Sequence, residues 1–181
     1  MSNDSKVIKL AAGASTATEL PYADTRGMGG MAVTPMGDVY VSDNGGNRVL
    51  KLTAGASTYT QLPSPGLSSP GSLAVSNAGD VYVVDFYGGQ VVKLAAGQSP
   101  QAALPFSGLR QPAGVAVDSV GDVYVADSGN NRVVKLAAGA STQSELPFTG
   151  LKQPWGVAVD NGGNVYVADS GNSRVLKLPA G

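Results

Sequence analysis

The fold is decided by the stretch GVAVDSVGDVYVADSGNNRVVKLAAG, residues 114–139. It contains three runs of β-branched and alternating residues, GVAVD (114–118), DVYVAD (122–127) and RVVKLAAG (132–139), which are separated by turns rich in Gly, Asn and Ser. A fourth run, SELPF (144–148), follows, and its proline is tolerated only on an edge strand. Period-2 alternation bounded by such turns predicts β-strands joined by hairpins. We therefore predict four consecutive strands, a, b, c and d.

This four-strand unit recurs along the chain with a period of 42 residues. The period relates the tyrosine of each Val-Tyr-Val run and the aspartate three positions later: Tyr40, Tyr82, Tyr124 and Tyr166, and Asp43, Asp85, Asp127 and Asp169. Repeats of this length with several short strands each are typical of a β-propeller. We predict an all-β propeller of four-stranded antiparallel blades in a single domain, 1–181. Its repeats are roughly 29–70, 71–112, 113–154 and 155–181, the last completed by 1–28.

The string VYVADSGNNRVVKLAAG, followed by LPFTGL, resembles the NHL-repeat family. It is most similar to the repeats in extracellular sensor propellers of bacterial receptor-type serine/threonine kinases, and in symmetric propellers engineered from them. The resemblance covers essentially residues 5–181. It implies a toroid of four-stranded blades, usually about six in the kinase sensors. It implies no kinase, because the chain has no phosphate-binding loop and no HRD or DFG pattern.

The first and last copies of strand c are SKVIKLAAG (5–13) and SRVLKLPAG (173–181), which agree at six of nine positions. The chain therefore contains seventeen predicted strands, whereas four blades need sixteen. The last blade lacks strand d, and TATELPY (16–22) is available to supply it. Such a closure hides a sheet edge that would otherwise invite aggregation.

Two closures satisfy this pattern. One chain closes alone as a four-bladed ring, or two chains join head to tail in a ring of eight blades. The innermost strands are built on Gly and Ala, as in Gly114-Val115-Ala116, which suits close and nearly parallel packing of many blades. We therefore predict a homodimer that closes an eight-bladed ring, with one copy of strand c in each chain loosely held.

Composition excludes several function classes. The 181 residues include no Cys and no His, so thiolate chemistry, imidazole bases and the usual zinc ligands are missing. Related propellers that are enzymes, the amidating lyases and lactonases, commonly hold a channel metal through His, so we expect no enzyme, no cofactor and no metal. A net charge of −1 and a pI near 5.2 argue against nucleic acid. No apolar run approaches the roughly 20 residues of a membrane span. We expect a chain that is soluble as written, and extracellular if it is a fragment of a receptor kinase.

The aspartates of the b–c turns are better explained by structure than by metal binding. Asp-Ser-Gly-Asn-Asn lacks the alternating oxygen ligands and the distal glutamate of a calcium loop. An Asp in a turn typically accepts hydrogen bonds from backbone N–H groups of that turn. We also expect these carboxylates to pair with the arginines that begin strand c, which are Arg48, Arg132 and Arg174.

Departures from the repeat are the candidate binding residues, because local irregularity in a regular design indicates function or strain. The second b–c turn has Phe86 and Tyr87, and Tyr87 replaces the glycine of the other repeats, while Gln90 replaces the arginine. The only tryptophan, Trp155, stands where other repeats have Gly or Ala. Equivalent positions of the d–a loops hold Arg26, Ser68, Arg110 and Lys152.

In a propeller the b–c and d–a loops open on the same face. We therefore predict that Phe86, Tyr87 and Trp155 share a rim with Arg26, Arg110 and Lys152. Exposed aromatic residues beside arginine are typical of an interaction hot spot. The alternative is that Trp155 packs over the next blade and that the basic residues only keep their loops in contact with solvent.

Three classes of function fit these features. We expect a non-catalytic, sensor-type binding or scaffold module that engages a peptide, glycan or protein partner through its loop face. The second class is a truncated or engineered repeat array that has no ligand and assembles into a ring. The third class, a metal-dependent propeller enzyme or an RNA binder, is disfavoured by the missing His and the acidic pI.

Overall fold

The computed structural model describes residues 6–22, 24–94 and 102–181, and these residues form four blades and a two-stranded sheet. The predicted segments 1–28 and 71–112 lie partly outside the described residues. The two-stranded sheet consists of β1 (Ile8–Lys9) and β2 (Thr18–Glu19). Blade 1 consists of β3 (Met28–Val33), β4 (Val39–Asp43), β5 (Arg48–Leu52) and β6 (Thr60–Leu62). Blade 2 consists of β7 (Pro70–Val75), β8 (Val81–Asp85), β9 (Gln90–Leu94) and β10 (Ala102–Ala103).

Blades 3 and 4 follow blades 1 and 2, and the four blades together form an arc. Blade 3 consists of β11 (Pro112–Val117), β12 (Val123–Asp127), β13 (Arg132–Leu136) and β14 (Ser144–Glu145). Blade 4 has three strands, β15 (Pro154–Val159), β16 (Val165–Asp169) and β17 (Arg174–Leu178). Short 3₁₀ turns lie at Ser128–Asn130 and Ser170–Asn172. The all-β fold with antiparallel four-stranded blades is confirmed, and the described residues contain the seventeen predicted strands. No helix of the described residues has the length and apolarity to cross a membrane.

The innermost strands β3, β7, β11 and β15 lie in succession against one another. Glycine is required at some of these contacts. A Cβ on Gly114 would lie 2.6 Å from the carbonyl oxygen of Trp155, and one on Gly29 would lie 2.6 Å from that of Pro70. Gly29 and Gly30 belong to β3, which begins at Met28, and they serve this close packing.

The core consists of layers of valine, leucine and tyrosine between neighbouring blades. Val133 of blade 3, for example, is fully buried against Val165 and Val167 of blade 4. In each of the four blades the repeated lysine of strand c lies over the repeated tyrosine of strand b, as Lys135 does at 5.2 Å from the ring centroid of Tyr124. This lateral packing explains why the 42-residue spacing is so strict.

The two ends of the arc are unlike each other. At one end, β1 and β2 form half a blade that packs on blade 1, where Val7 contacts Val39 and Val41. At the other end, β17 pairs only with β16 among the described residues, and Val175 is 70% exposed. Within the described residues of one chain, β2 pairs with β1 and does not complete blade 4. Completion of that blade across two chains stays a prediction.

Candidate functional site

Each blade attaches its entering loop to its b–c turn through the repeated aspartate. In blade 3, the Oδ1 atom of the buried Asp127 accepts the backbone N–H of Arg110 at 2.8 Å. Its Oδ2 atom accepts Nε of Arg132 and Nδ2 of Asn130, each at 2.7 Å. The predicted pairing with arginine is confirmed here and, at the same distance, for Arg48 and Arg174. The bond to the loop residue was not foreseen from the sequence, and it fixes the backbone of the rim.

The surroundings of Asp169 in blade 4 favour its charged form. Burial raises the pKa of this carboxyl group, but hydrogen bonds from Asn172, from the backbone N–H of Lys152 and from Arg174 outweigh that effect. The pKa of Asp169 therefore lies below its ordinary value. A carboxylate that is fully committed to these donors is a structural element of the loop face.

The b–c turn of blade 2 differs in its charge. Asp85 is fully buried, and its Oδ1 atom accepts the backbone N–H of Ser68 at 2.9 Å and of Gly88 at 3.2 Å. Its Oδ2 atom accepts Nε2 of Gln90 at 3.0 Å, where the other blades use an arginine. The connection between loop and turn is thus kept without a cation.

At the neighbouring positions of the b–c turn and the entering loop, a small residue on one accompanies a large residue on the other. A Cβ on Gly129 would lie 2.7 Å from the carbonyl oxygen of Arg110, so this turn takes only glycine beside the long basic residue. In blade 2 the sizes are reversed, with Tyr87 on the turn and Ser68 on the loop. The hydrogen bond from the turn N–H to the loop carbonyl lengthens from 2.9 Å for Gly129 to 3.4 Å for Tyr87. This coupled change of turn and loop residue is visible in an alignment of the four repeats, but the sequence analysis considered the two positions separately.

The three predicted aromatic residues lie together, and we refer to Phe86, Tyr87 and Trp155 as the aromatic cluster. The ring centroids of Phe86 and Tyr87 are 5.2 Å apart in an edge-to-face arrangement, and those of Phe86 and Trp155 are 6.2 Å apart. Tyr87 is 74% and Trp155 is 58% exposed. The cluster joins blade 2 to blade 4 across blade 3, where Ala113 and Gly114 are small. Trp155 is therefore not a core residue.

The aromatic cluster borders a groove of about 500 Å³ over the innermost strands. Small residues and backbone form most of its wall, and polar side chains are few. The remaining lining residues are Gly29, Gly30, Met31, Asn44, Ser69, Gly71, Ser72, Ala113, Gly114, Gly156 and Val157. Such a concave surface, which offers apolar and polar area in similar amounts, suits the side chain of a ligand.

The three predicted basic residues, which we call the basic rim, stand on the loops around this groove. Arg26, Arg110 and Lys152 are exposed, and none of them lines the groove or forms an ion pair with a described residue. The turn beside each loop fixes its backbone but leaves the charge in solvent. Among the described residues, no group of three or more carboxylates is placed to hold a metal ion.

Comparison with known proteins supports the repeat and the fold. The NHL repeat family model matches residues 29–52, 109–136 and 151–178, which lie mainly in blades 1, 3 and 4. No curated protein matches the sequence. A chain from the crystal structure of a nidogen/laminin complex superimposes with a TM-score of 0.80 at 19% identity, over 90% of this chain and 64% of that chain.

Two lyase structures are also similar. A streptogramin B lyase has a TM-score of 0.73 at 17% identity, covering 97% of this chain and 62% of that chain. A virginiamycin B lyase from Staphylococcus aureus, solved with quinupristin as a catalytically inactive His-to-Ala variant, has a TM-score of 0.69 at 16% identity, covering 91% and 59%. At these identities the likeness shows the fold alone. This chain spans between 59% and 64% of the length of these three chains.

Proposed function

Because the chain carries NHL repeats and folds as an NHL-type β-propeller, we propose that it is a non-catalytic protein-binding module that holds its partner on the face of its b–c and d–a loops. The resemblance to receptor-kinase sensor propellers supports a sensor role for this module. Loops held on a rigid frame commonly carry recognition.

The observation that carries the proposal is the exposed aromatic cluster. Turns in the other three blades fold with glycine where blade 2 has Tyr87, so the fold does not require an aromatic residue there. Tyr87 and Trp155 nevertheless remain exposed and meet through Phe86. Aromatic residues and arginine dominate the binding energy of protein interfaces. We assign the cluster to a partner and not to the stability of the propeller.

The chemistry of the face indicates what such a partner presents. The groove of about 500 Å³ accepts an apolar or aromatic side chain, and the basic rim favours carboxylates beside it. An acidic protein segment with one apolar anchor combines both features. The neighbour in a nidogen/laminin complex is consistent with a propeller that binds protein.

Residue chemistry supports the non-catalytic part of the proposal. A His-to-Ala change accompanies the loss of catalysis in the Staphylococcus aureus lyase, as the description of that structure states. This chain has no His at any position. Its repeated carboxylates are committed to turn contacts, as Asp127 is.

The test is a selection of random peptides on the immobilised chain, followed by measurement of affinity for variants. We expect acidic peptides with an apolar residue, and we expect Trp155→Ala and Tyr87→Ala each to weaken them by about 2 kcal/mol, roughly 30-fold. The control is Val120→Ala, which changes a 72% exposed residue in an a–b turn on the opposite face. Peptides that bind the Trp155 and Tyr87 variants as tightly as the parent chain would contradict the proposal.

We further propose that two chains close an eight-bladed ring head to tail. The half-blade of β1 and β2 and the three-stranded blade 4 are complementary, since one offers strand d and the other lacks it. Light scattering at micromolar concentration tests this. A mass of about 36 kDa, twice the 18.1 kDa of one chain, is expected for the ring. A folded monomer at all concentrations, for this chain and for variants that expose blade 1, would exclude it.

A further inference from the structure

One valine position of strand c reports how each blade is covered. Its five copies are Val7, Val49, Val91, Val133 and Val175. The first four are at most 3% exposed, because each packs on the following blade, whereas Val175 is 70% exposed. Val133 packs on Val165 and Val167 of blade 4, and Val7 packs on the equivalent Val39 and Val41 of blade 1. By this rule, Val39 and Val41 are the residues that a copy of Val175 would contact.

The pairing of β1 with β2 reproduces the pairing of strands c and d in a complete blade. Ile8 lies opposite Glu19 and Lys9 opposite Thr18, as Val134 lies opposite Glu145 and Lys135 opposite Ser144. The N–H of Leu20 donates to the carbonyl of Val7 at 2.8 Å, and Leu146 donates to Val133 at 2.9 Å. β1 thus occupies the place of strand c in a blade preceding blade 1.

We infer that β1 is a placeholder strand, which covers blade 1 in the single chain and is displaced by β17 of a second copy when the ring forms. This inference rests on the proposed ring. It adds that β1 and the β17 strand of the second copy compete for the same place, which is paired with β2 and packed on Val39 and Val41 of blade 1. The assembly of the ring is therefore opposed by the chain's own first strand.

Strand d does not have to move in this exchange. Tyr22, which follows β2, is buried on blade 1, donates its hydroxyl to the carbonyl of Val39 at 2.8 Å and stacks on Tyr59. Burial raises the pKa of Tyr22 to about 12, so the hydroxyl remains a donor at neutral pH. β2 stays attached to blade 1 by this contact, and only the short β1 leaves.

The incoming blade covers more surface than the placeholder strand does. β1 and β2 lie over the outer half of blade 1 and leave Met31 and Val33 of β3 53% and 57% exposed. Leu73 and Val115, the equivalents of Met31 in blades 2 and 3, are only 5% exposed, because a preceding innermost strand covers them. β15 of a second copy offers that strand, with its Ala158 exposed on the matching side. The extra apolar burial favours the exchange.

The register of the completed blade follows from the existing pairs. Leu176 is expected opposite Glu19 and Lys177 opposite Thr18, with the N–H of Leu20 donating to Val175. Glu19 now forms an ion pair with Lys6 at 2.8 Å, and in the ring it would pair with Arg174 instead. The equivalent residues of blade 3, Glu145 and Arg132, lie 3.6 Å apart.

Two substitutions at equivalent positions separate the roles of the strands. Val7→Asp loosens β1 from blade 1 but leaves the ring unchanged, because Val7 is displaced there. We expect it to tighten dimerisation about tenfold or more. Val175→Asp alters a residue that is exposed in the single chain and buried in the ring, and we expect it to weaken dimerisation about 100-fold. Sedimentation equilibrium measures both, with circular dichroism to verify folding.

The outcomes distinguish the two proposals. If the parent chain dimerises and Val7→Asp leaves dimerisation unchanged or weakens it, the placeholder inference is wrong and the ring stands. If the parent chain is monomeric but Val7→Asp dimerises, both are supported. If the parent chain and a folded Val7→Asp variant are both monomeric, both are wrong.

Cross-linking gives an independent measurement, since the chain has no native Cys. With oxidised glutathione, Thr18→Cys combined with Lys177→Cys is expected to give a covalent species of about 36 kDa, twice 18.1 kDa. The control pair, Thr18→Cys with Lys135→Cys, is expected to give none, because Lys135 already faces Ser144. An internal disulfide in a monomer of the first pair, or no disulfide at all, would overturn the exchange between chains.

Discussion

Valine-to-alanine substitutions at Val133 and Val175 test whether blade 4 lacks a covering neighbour. Both side chains belong to strand c at the same repeat position, but Val133 is fully buried and Val175 is 70% exposed. Each change removes two methyl groups. At Val133 the lost transfer free energy is about 1.6 kcal/mol, from roughly 0.8 kcal/mol for each buried group, and the residual cavity adds up to about 1 kcal/mol. We expect a total cost of about 1.6–2.6 kcal/mol.

At Val175 the same change is expected to cost less than about 0.5 kcal/mol in the monomer, because little apolar surface is lost from the interior. Urea unfolding monitored by tryptophan fluorescence measures both values, at a concentration where light scattering shows monomers. At higher concentration the cost at Val175 is expected to rise toward that at Val133, if the ring forms. Equal costs in a sample that is demonstrably monomeric would refute the exposed face of blade 4.

Three further outcomes are expected from the b–c turns. Asp127→Asn should cost about 2–3 kcal/mol in urea unfolding, because it places an amide N–H against the guanidinium of Arg132. Asp85→Asn should cost less than about 1 kcal/mol, because the side-chain amide of Gln90 can turn over and present its oxygen to the new amide. Equal costs would contradict this expectation. Gly129→Ala should cost about 1–3 kcal/mol, since its Cβ would lie 2.7 Å from the carbonyl oxygen of Arg110, and an unchanged urea midpoint would contradict it. The lowered pKa of Asp169 contributes stability that is complete above the unfolded-state value of about 3.9 and is lost as the pH falls through the folded value. The urea midpoint of the parent chain should therefore decrease as the pH is lowered below about 4, and that of Asp169→Asn should decrease less. Parallel plots of midpoint against pH for the two proteins would argue against this.

Much of the fold is predictable from the sequence because one period controls it. The spacing of 42 residues places Tyr124 and Asp127 on strand b, and it gives the seventeen strands with their order. Strand d is the least regular, and β14 contains only Ser144–Glu145, since the N–H of Phe148, the next one that could extend the ladder after Leu146, donates to the carbonyl of Leu146 instead. Local pattern was therefore sufficient wherever pairing occurs within a blade.

The candidate site was predicted in composition but not in its construction. The contact between Phe86 and Trp155 depends on the approach of blades 2 and 4, which no local pattern reports. The bond from the backbone N–H of Arg110 to Asp127 joins residues 17 apart through the side chain of a strand, so it also lies outside period-2 reasoning. The pairing of β2 with β1 depends on competition between two nearly identical strands, and only the structure shows which one is covered in the single chain.

The bond from Asp127 to the entering loop has a mechanical consequence. If the chain is pulled from its two ends, force enters blade 3 at Arg110, and the carboxylate carries it directly to Arg132 on strand c. Several hydrogen bonds are then loaded together instead of opening one after another, so the blade yields as a unit. In blade 2 the corresponding load passes through the neutral amide of Gln90, which forms a weaker bond than a guanidinium does. Under tension, blade 2 is therefore expected to rupture before blade 3, and the aromatic turn at Phe86 is released with it.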